Sequence, residues 1–324
     1  MSNNETIFIA MASQDDEETK YAIKHAFENA KNPERIYVGV GLTCSKTKHK
    51  KEIEQIIKHN QNVSMHYVKQ KKNSLKTIGI GQGRTRAANL YKNQDYMLQV
   101  DCHSFFDDNW DEKMINMFNE AKKEVGDDNF VLSCIPLIYG YDQEDNVVKE
   151  DFPKTRYGTY VMDEFFVEVV PRWTESDIFN LYPNQFLPAH KLNPACTFGN
   201  KKFAENPGIH YEAIFYDEDW TQQLNLIERD FAFVFPSFED FPIRHLDGSY
   251  CTSGHERAFL TDYLTRHKSN EMHENLKNNY LKFVTDSSRV NSVNKYYRYS
   301  KAHAVKGYFS ASSKPFPKSY RIEK

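Results

Sequence analysis

Asp101 and His103 stand one residue apart at the end of a short apolar run, Tyr96-Met97-Leu98-Gln99-Val100. A buried strand that ends here delivers a carboxylate and an imidazole side by side at its carboxyl end. In open α/β sheets, ligands bind in the crevice beyond those ends. A carboxylate oxygen and a ring nitrogen suit Mn²⁺, and oxygen-rich sites also admit Mg²⁺. Two protein ligands are too few for a structural cage, but they fit an ion that also holds substrate phosphates. The same tripeptide equally describes a strand-end Asp that caps the next turn beside an exposed His.

Three further groups carry candidate chemistry. Gly79-Ile80-Gly81-Gln82-Gly83 is expected as a glycine-rich turn before a helix bearing Arg84 and Arg86. The dinucleotide fingerprint would need a third glycine where Arg84 stands, so a Rossmann dehydrogenase is disfavoured. A helix N-terminus with guanidinium groups can still contact a nucleotide, and a plain loop with surface arginines is the alternative. Asp217-Glu218-Asp219 opens a helix, where acids complement the dipole or hold a sugar hydroxyl. His245 is expected just after a strand and a proline-containing loop; a lone histidine is more often structural than a ligand, and His255, Glu256 and Arg257 are as ambiguous. No nucleophile elbow and no Walker A sequence occurs.

The elements that must position these residues follow from hydrophobic periodicity. Strands are expected at 7–12, 36–40, 63–68, 96–101 and 130–135, with helices between them around Ile23, Ile56, Leu90 and Met114. Such alternation argues for a largely parallel sheet with right-handed crossovers. After Pro136 the rhythm changes. Residues 145–170 alternate as antiparallel strands or a hairpin, and 173–195 are irregular. Helical spacing returns at Trp220, Leu224 and Ile227, then a strand at 231–235. Residues 256–284 read as helical.

Bulk properties bound the class. The 324 residues, 40% of them hydrophobic, suffice for one large domain with an appendage. Five scattered cysteines form no C-x-x-C pair, which excludes a zinc ribbon and a thioredoxin-type site. They read as free thiols in a reducing compartment. The polar start lacks a signal peptide's apolar core, and no run approaches the roughly 18 apolar residues of a membrane span. A soluble, cytoplasmic protein is expected. Net charge is −3, but residues 46–86 carry +9 and residues 287–324 carry +8, leaving −20 on the rest. That asymmetry describes a solvated face or a site for a polyanion, nucleic acid first.

Several words together resemble a known family. They are Ile7-Phe8-Ile9-Ala10-Met11-Ala12-Ser13, the run from Ala26 to Val40, Gly79 with Arg84, Leu98-Gln99-Val100-Asp101-Cys102-His103 and Asn109-Trp110-Asp111. The chain resembles nucleotide-sugar glycosyltransferases of GT-A architecture, more closely the GlcNAc-transferases that cap a hydroxyproline on a cytosolic ubiquitin-ligase adaptor. Phe198-Gly199 resembles the family's apolar-glycine turn, Asp217-Glu218-Asp219 its acidic helix start, and His245-Leu246 its late histidine. Residues 137–193 and 256–324 carry no word that can be named from it.

The resemblance implies a GT-A-like, Rossmann-type α/β fold, with a mostly parallel sheet and helices on both faces. It implies a catalytic domain over 1–255, with an antiparallel acceptor-side insertion at 137–193, and a helical, basic C-terminal region over 256–324. It implies Asp101, His103 and His245 as ligands of Mn²⁺ (or Mg²⁺) on a UDP-sugar diphosphate, a variant D-x-H metal motif. It places Ser13 and Asp15 by the uridine, Arg84 by the ribose or diphosphate, and Glu218 or Asp219 by the sugar and acceptor hydroxyl, as catalytic residues. The family retains anomeric configuration, so the departing phosphate can help deprotonate the acceptor.

The expected activity is metal-dependent, retaining transfer from a UDP-sugar to a macromolecular hydroxyl. Two acceptors compete. Hydroxymethylated DNA bases fit the basic segments and the aromatics Tyr296, Tyr297, Tyr299, Tyr308 and Phe309 among lysines, which can stack on bases. Such a base would have to leave the duplex stack. A protein or glycan hydroxyl, as in the family, is the other. A non-catalytic nucleotide-sugar binding module is the rival from another class.

Overall fold

The computed structural model describes residues 4–45, 47–70, 80–134, 136–149, 186–188, 192–209, 211, 218–227, 229–236, 241–246, 303–305 and 308–310. The first half alternates strand and helix. β1 (Ile7–Gln14) leads to α1 (Thr19–Glu28), β2 (Ile36–Cys44), α2 (Thr47–His59), β3 (Val63–Lys69), α3 (Ile80–Ala88) and β4 (Tyr96–Asp101). β1 is buried from Ile7 through Ser13. Its near-continuous apolar run is the signature of a central parallel strand covered on both faces. α1 turns Ala22, Ile23 and Ala26 inward, the stripe an amphipathic helix presents to a core.

The second half adds β5 (Ser104–Phe106), α4 (Trp110–Val125), β6 (Phe130–Ser133), β7 (Leu137–Tyr141), β8 (Val147–Lys149), β9 (Leu187–Pro188), β10 (Cys196–Asn200), α5 (Lys201–Glu205), α6 (Glu218–Ile227), β11 (Ala232–Phe235) and β12 (Ile243–Leu246). The main sheet runs β3-β2-β1-β4-β10-β6-β11-β9. Pairings are parallel from β3 through β4 and between β6 and β11. β10 enters antiparallel between β4 and β6. A smaller sheet runs β5-β12-β7-β8. The fold is mixed α/β with a mostly parallel central sheet, as the sequence predicts.

Three expectations change. Gly81 and Gly83 lie within α3 rather than in a turn before it; Gly79 falls outside the described residues. The close approach of α3 to the sheet depends on glycine in β2. A Cβ on Gly41 would overlap the Gly83 carbonyl oxygen, and one on Gly39 would overlap the Phe8 ring. α3 therefore lies directly on β1 and β2. Phe198 and Gly199 belong to β10, and Gly199 leaves room for the Phe203 side chain, whose Cβ an added Cβ would meet at 2.7 Å and whose ring at 2.8 Å. His245 sits inside a strand, β12, not after one, because flanking Ile243 and Leu246 are buried.

Residues 256–284, expected to be helical, lie outside the described residues, as does most of the carboxyl-terminal region. Its described residues form two antiparallel strands, β13 (His303–Val305) and β14 (Tyr308–Ser310). Of residues 137–193, the segments β7 and β8 pair antiparallel. Residues 150–185, Tyr296, Tyr297, Tyr299, His255, Glu256 and Arg257 lie outside the described residues.

Candidate active site

β4 ends at Asp101, and Cys102 and His103 form the turn into β5. β12 pairs antiparallel with β5, with His245 opposite Ser104. That register brings the late histidine to the motif. His245 Nε2 is 2.9 Å from His103 Nε2 and 3.2 Å from Asp101 Oδ2, and His103 Nε2 is 3.9 Å from that oxygen. The His103 carbonyl is fixed by Leu246 N at 3.1 Å and by the Tyr139 hydroxyl at 3.3 Å.

The opposite edge of Asp101 faces a cation. Arg84, only 3% exposed, projects from α3. Its Nη2 donates to Asp101 Oδ1 at 2.8 Å, its Nε donates to Glu218 Oε2 at 2.7 Å, and Nη2 reaches Glu218 Oε1 at 3.3 Å. Glu218 is the first residue of α6, where a carboxylate also meets the helix dipole. The two oxygens of Asp101 are thereby divided: one is held by Arg84 and the other faces the histidines. Burial disfavours the charged carboxylate. Arg84 and then the His245 hydrogen bond outweigh it, holding Asp101 far below the usual carboxylate range. Burial likewise opposes the Arg84 charge, but Glu218 and Asp101 more than compensate and raise its pKa. Arg84 Nη1 is buried without a hydrogen-bond partner.

The three facing atoms are one carboxylate oxygen and two imidazole nitrogens. Their mutual distances of 2.9, 3.2 and 3.9 Å leave a point about 2 Å from all three, the bond length of a divalent first-row ion or Mg²⁺. Donor types and spacing fit such an ion.

The remaining predicted residues surround the same strand ends. Ser13 is buried at the end of β1, its hydroxyl 2.7 Å from that of Thr19. Asp15 has a left-handed backbone, φ +48°. Its carboxylate accepts from the Ser45 amide at 3.0 Å and hydroxyl at 2.7 Å, joining the β1 and β2 ends. Asp219 follows Glu218 in α6.

Sequence reasoning passed over Asp16. Asp16 Oδ2 lies 2.9 Å from His103 Nδ1 and 3.4 Å from Cys102 Sγ. Only its place in an acidic run after the first strand hinted at it. Burial, and then Asp16, push the Cys102 thiol up to about 11. Cys44, Cys102, Cys134 and Cys196 are buried and form no disulfide among the described residues. Among the described residues, no helix is long and apolar enough to cross a membrane.

Comparison with known proteins bears on this arrangement. Residues 6–72 and 41–190, together more than half of the chain, match the model of a family described as Glycosyltransferase (GlcNAc). No curated protein matches the sequence. Among solved structures, the chain is similar to GalNAc-T7 crystallised with UDP, GalNAc and Mn²⁺. The TM-score is 0.55 at 12% identity, over 91% of this chain and 59% of that one. It is also similar to S. aureus TarS, at TM-score 0.41 and 12% identity, over 88% of this chain and 44% of that one. The chain thus spans about three fifths of the first structure's length, and the likeness is one of fold.

Proposed function

The chain belongs to the Glycosyltransferase (GlcNAc) family and is a glycosyltransferase of GT-A type, and we propose that it moves a sugar from UDP to a macromolecular hydroxyl with a divalent cation. The observation that carries this reading is the convergence of Asp101, His103 and His245 at the carboxyl end of a central strand. Mn²⁺ is the first choice of ion, with Mg²⁺ second, because two of the three donors are imidazoles. GalNAc-T7, with the same type of fold, was crystallised with UDP and Mn²⁺. A cation bound here supplies Lewis-acid neutralisation of the charge that develops on the departing diphosphate.

The chain's own residues divide the remaining work. Asp101 presents one oxygen to the cation while Arg84 holds the other. The unpaired Arg84 Nη1 is a buried donor suited to a phosphate or ribose oxygen. Ser13 and Asp15, at the end of β1, line the side assigned to uridine. Glu218 steadies Arg84 from the head of α6, and Asp219 beside it is the second acid for the sugar and acceptor hydroxyl. Retention of anomeric configuration, with the leaving phosphate receiving the acceptor proton, completes the scheme.

For the acceptor we favour a polyanion, with hydroxymethylated DNA bases first. Support comes from the +9 and +8 segments in an otherwise acidic chain. Electrostatic DNA binding weakens steeply between about 50 and 200 mM salt. A flat titration, or none to titrate, removes this acceptor and leaves a protein or glycan hydroxyl.

UDP release from UDP-GlcNAc, with Mn²⁺ and with a chelator, tests the donor and metal reading. Release that requires Mn²⁺ and disappears in Asp101→Ala is expected. Binding of UDP-sugar without turnover on any acceptor would instead identify a binding module.

A further inference from the structure

We propose that Asp16 is a positioning residue that fixes the ring of His103 so that its Nε2 meets the catalytic cation; this rests on the cation reading above. Asp16 stands in the β1–α1 connection and has two separate tasks. Its Oδ1 accepts from the Glu18 amide at 2.9 Å, closing the turn that starts α1. Its Oδ2 turns the other way, 2.9 Å from His103 Nδ1, with Cys102 Sγ at 3.4 Å. A residue needed only to start the helix would use the first oxygen alone. Both side chains are 12% exposed, so water competes little for the contact.

The consequence for the ring is set by donor and acceptor chemistry. A carboxylate can only accept, so His103 Nδ1 carries a proton, and in the neutral imidazole that leaves the lone pair on Nε2. That lone pair faces His245 Nε2 at 2.9 Å. In the metal-free protein His245 must then supply the hydrogen, with Asp101 Oδ2 at 3.2 Å as a second acceptor. A cation held by both Nε2 atoms would require His245 in the tautomer protonated at Nδ1. A carboxylate behind a ligating imidazole orients the ring and raises its basicity, and its loss typically weakens metal binding about 10–100-fold.

Asp16→Asn is the informative variant, because asparagine keeps the turn-closing oxygen at the start of α1 and removes the charge behind His103. Two readouts are taken on the full chain. Mn²⁺ binding, followed by the paramagnetic resonance of the free ion, should weaken about 10–100-fold with the thermal midpoint little changed. Histidine ¹⁵N spectra of the metal-free protein, assigned with His103→Gln, should show His103 protonated at Nδ1 in the wild type and a mixture of ring forms in Asp16→Asn. Mn²⁺ affinity within twofold of wild type, or a wild-type ring protonated at Nε2, overturns the role of Asp16. A wild type that binds no Mn²⁺, while His103 is protonated at Nδ1, overturns the cation reading instead.

Discussion

His245 Nε2 lies 2.9 Å from His103 Nε2, although 142 residues separate them. The register of β12 on β5 creates this meeting. It turns a two-residue motif into a three-atom face with Asp101. If His245 completes a cation site, His245→Ala should weaken Mn²⁺ binding at least about tenfold. UDP release should then fall most at low Mn²⁺ and recover partly as Mn²⁺ is raised. Titrating Mn²⁺ in the release assay checks this; a wild-type curve would confine the site to Asp101 and His103.

Arg84 is shared between Asp101 and Glu218, and all three are largely buried. Removing one partner of a buried charge pair leaves the other uncompensated, which typically costs about 3–5 kcal/mol. Glu218→Gln should lose toward the lower end of that range, since the amide oxygen still accepts one hydrogen bond. Denaturant unfolding measures it, and a midpoint equal to wild type would show that Arg84 does not depend on Glu218.

The seat of α3 on β2 is a second structural dependency. A Cβ at Gly41 would collide with the Gly83 carbonyl, next to Arg84. Gly41→Ala should destabilise the fold by about 1–3 kcal/mol, the usual cost of overpacking. It should also weaken nucleotide-sugar binding by moving Arg84. Calorimetry of UDP binding beside thermal melts separates the two effects. Normal melting and normal UDP affinity would mean that α3 does not bear on β2 as described.

His25 gives a pH dependence remote from the cation face. Its ring packs 4.4 Å from the Phe105 ring, and its Nδ1 is buried without a partner. Burial, with Lys24 and Lys149 adding repulsion against the attraction of Glu28, lowers its pKa from the usual 6.5. The unfolded chain therefore binds the proton more readily than the folded one. This contribution to stability is fully present above the ordinary value and is lost as pH falls below it. His25→Phe should flatten the slope of unfolding free energy between about pH 7 and pH 5, measured by denaturant titration. Parallel slopes in variant and wild type would rule the assignment out.

Sequence alone determined the strand–helix alternation through residue 133, because buried parallel strands are continuous apolar runs and their covering helices carry a periodic stripe. It also determined that Asp101 and His103 end a central strand, since the apolar run stops there. It misplaced Gly81 and Gly83 in a turn, because a glycine inside a helix seated on a sheet, as Gly83 is against Ala12, looks the same in one dimension as a glycine chosen for a turn. Only the tertiary structure decided the partners. Asp16, His245 and Glu218 reach the Asp101–His103 pair from a loop, a strand of the smaller sheet and the head of a helix, at separations of 87, 142 and, through Arg84, 134 residues. Strand register and helix seating fix those meetings, and the physical reason is that contacts between distant segments depend on how elements pack, which local periodicity does not encode.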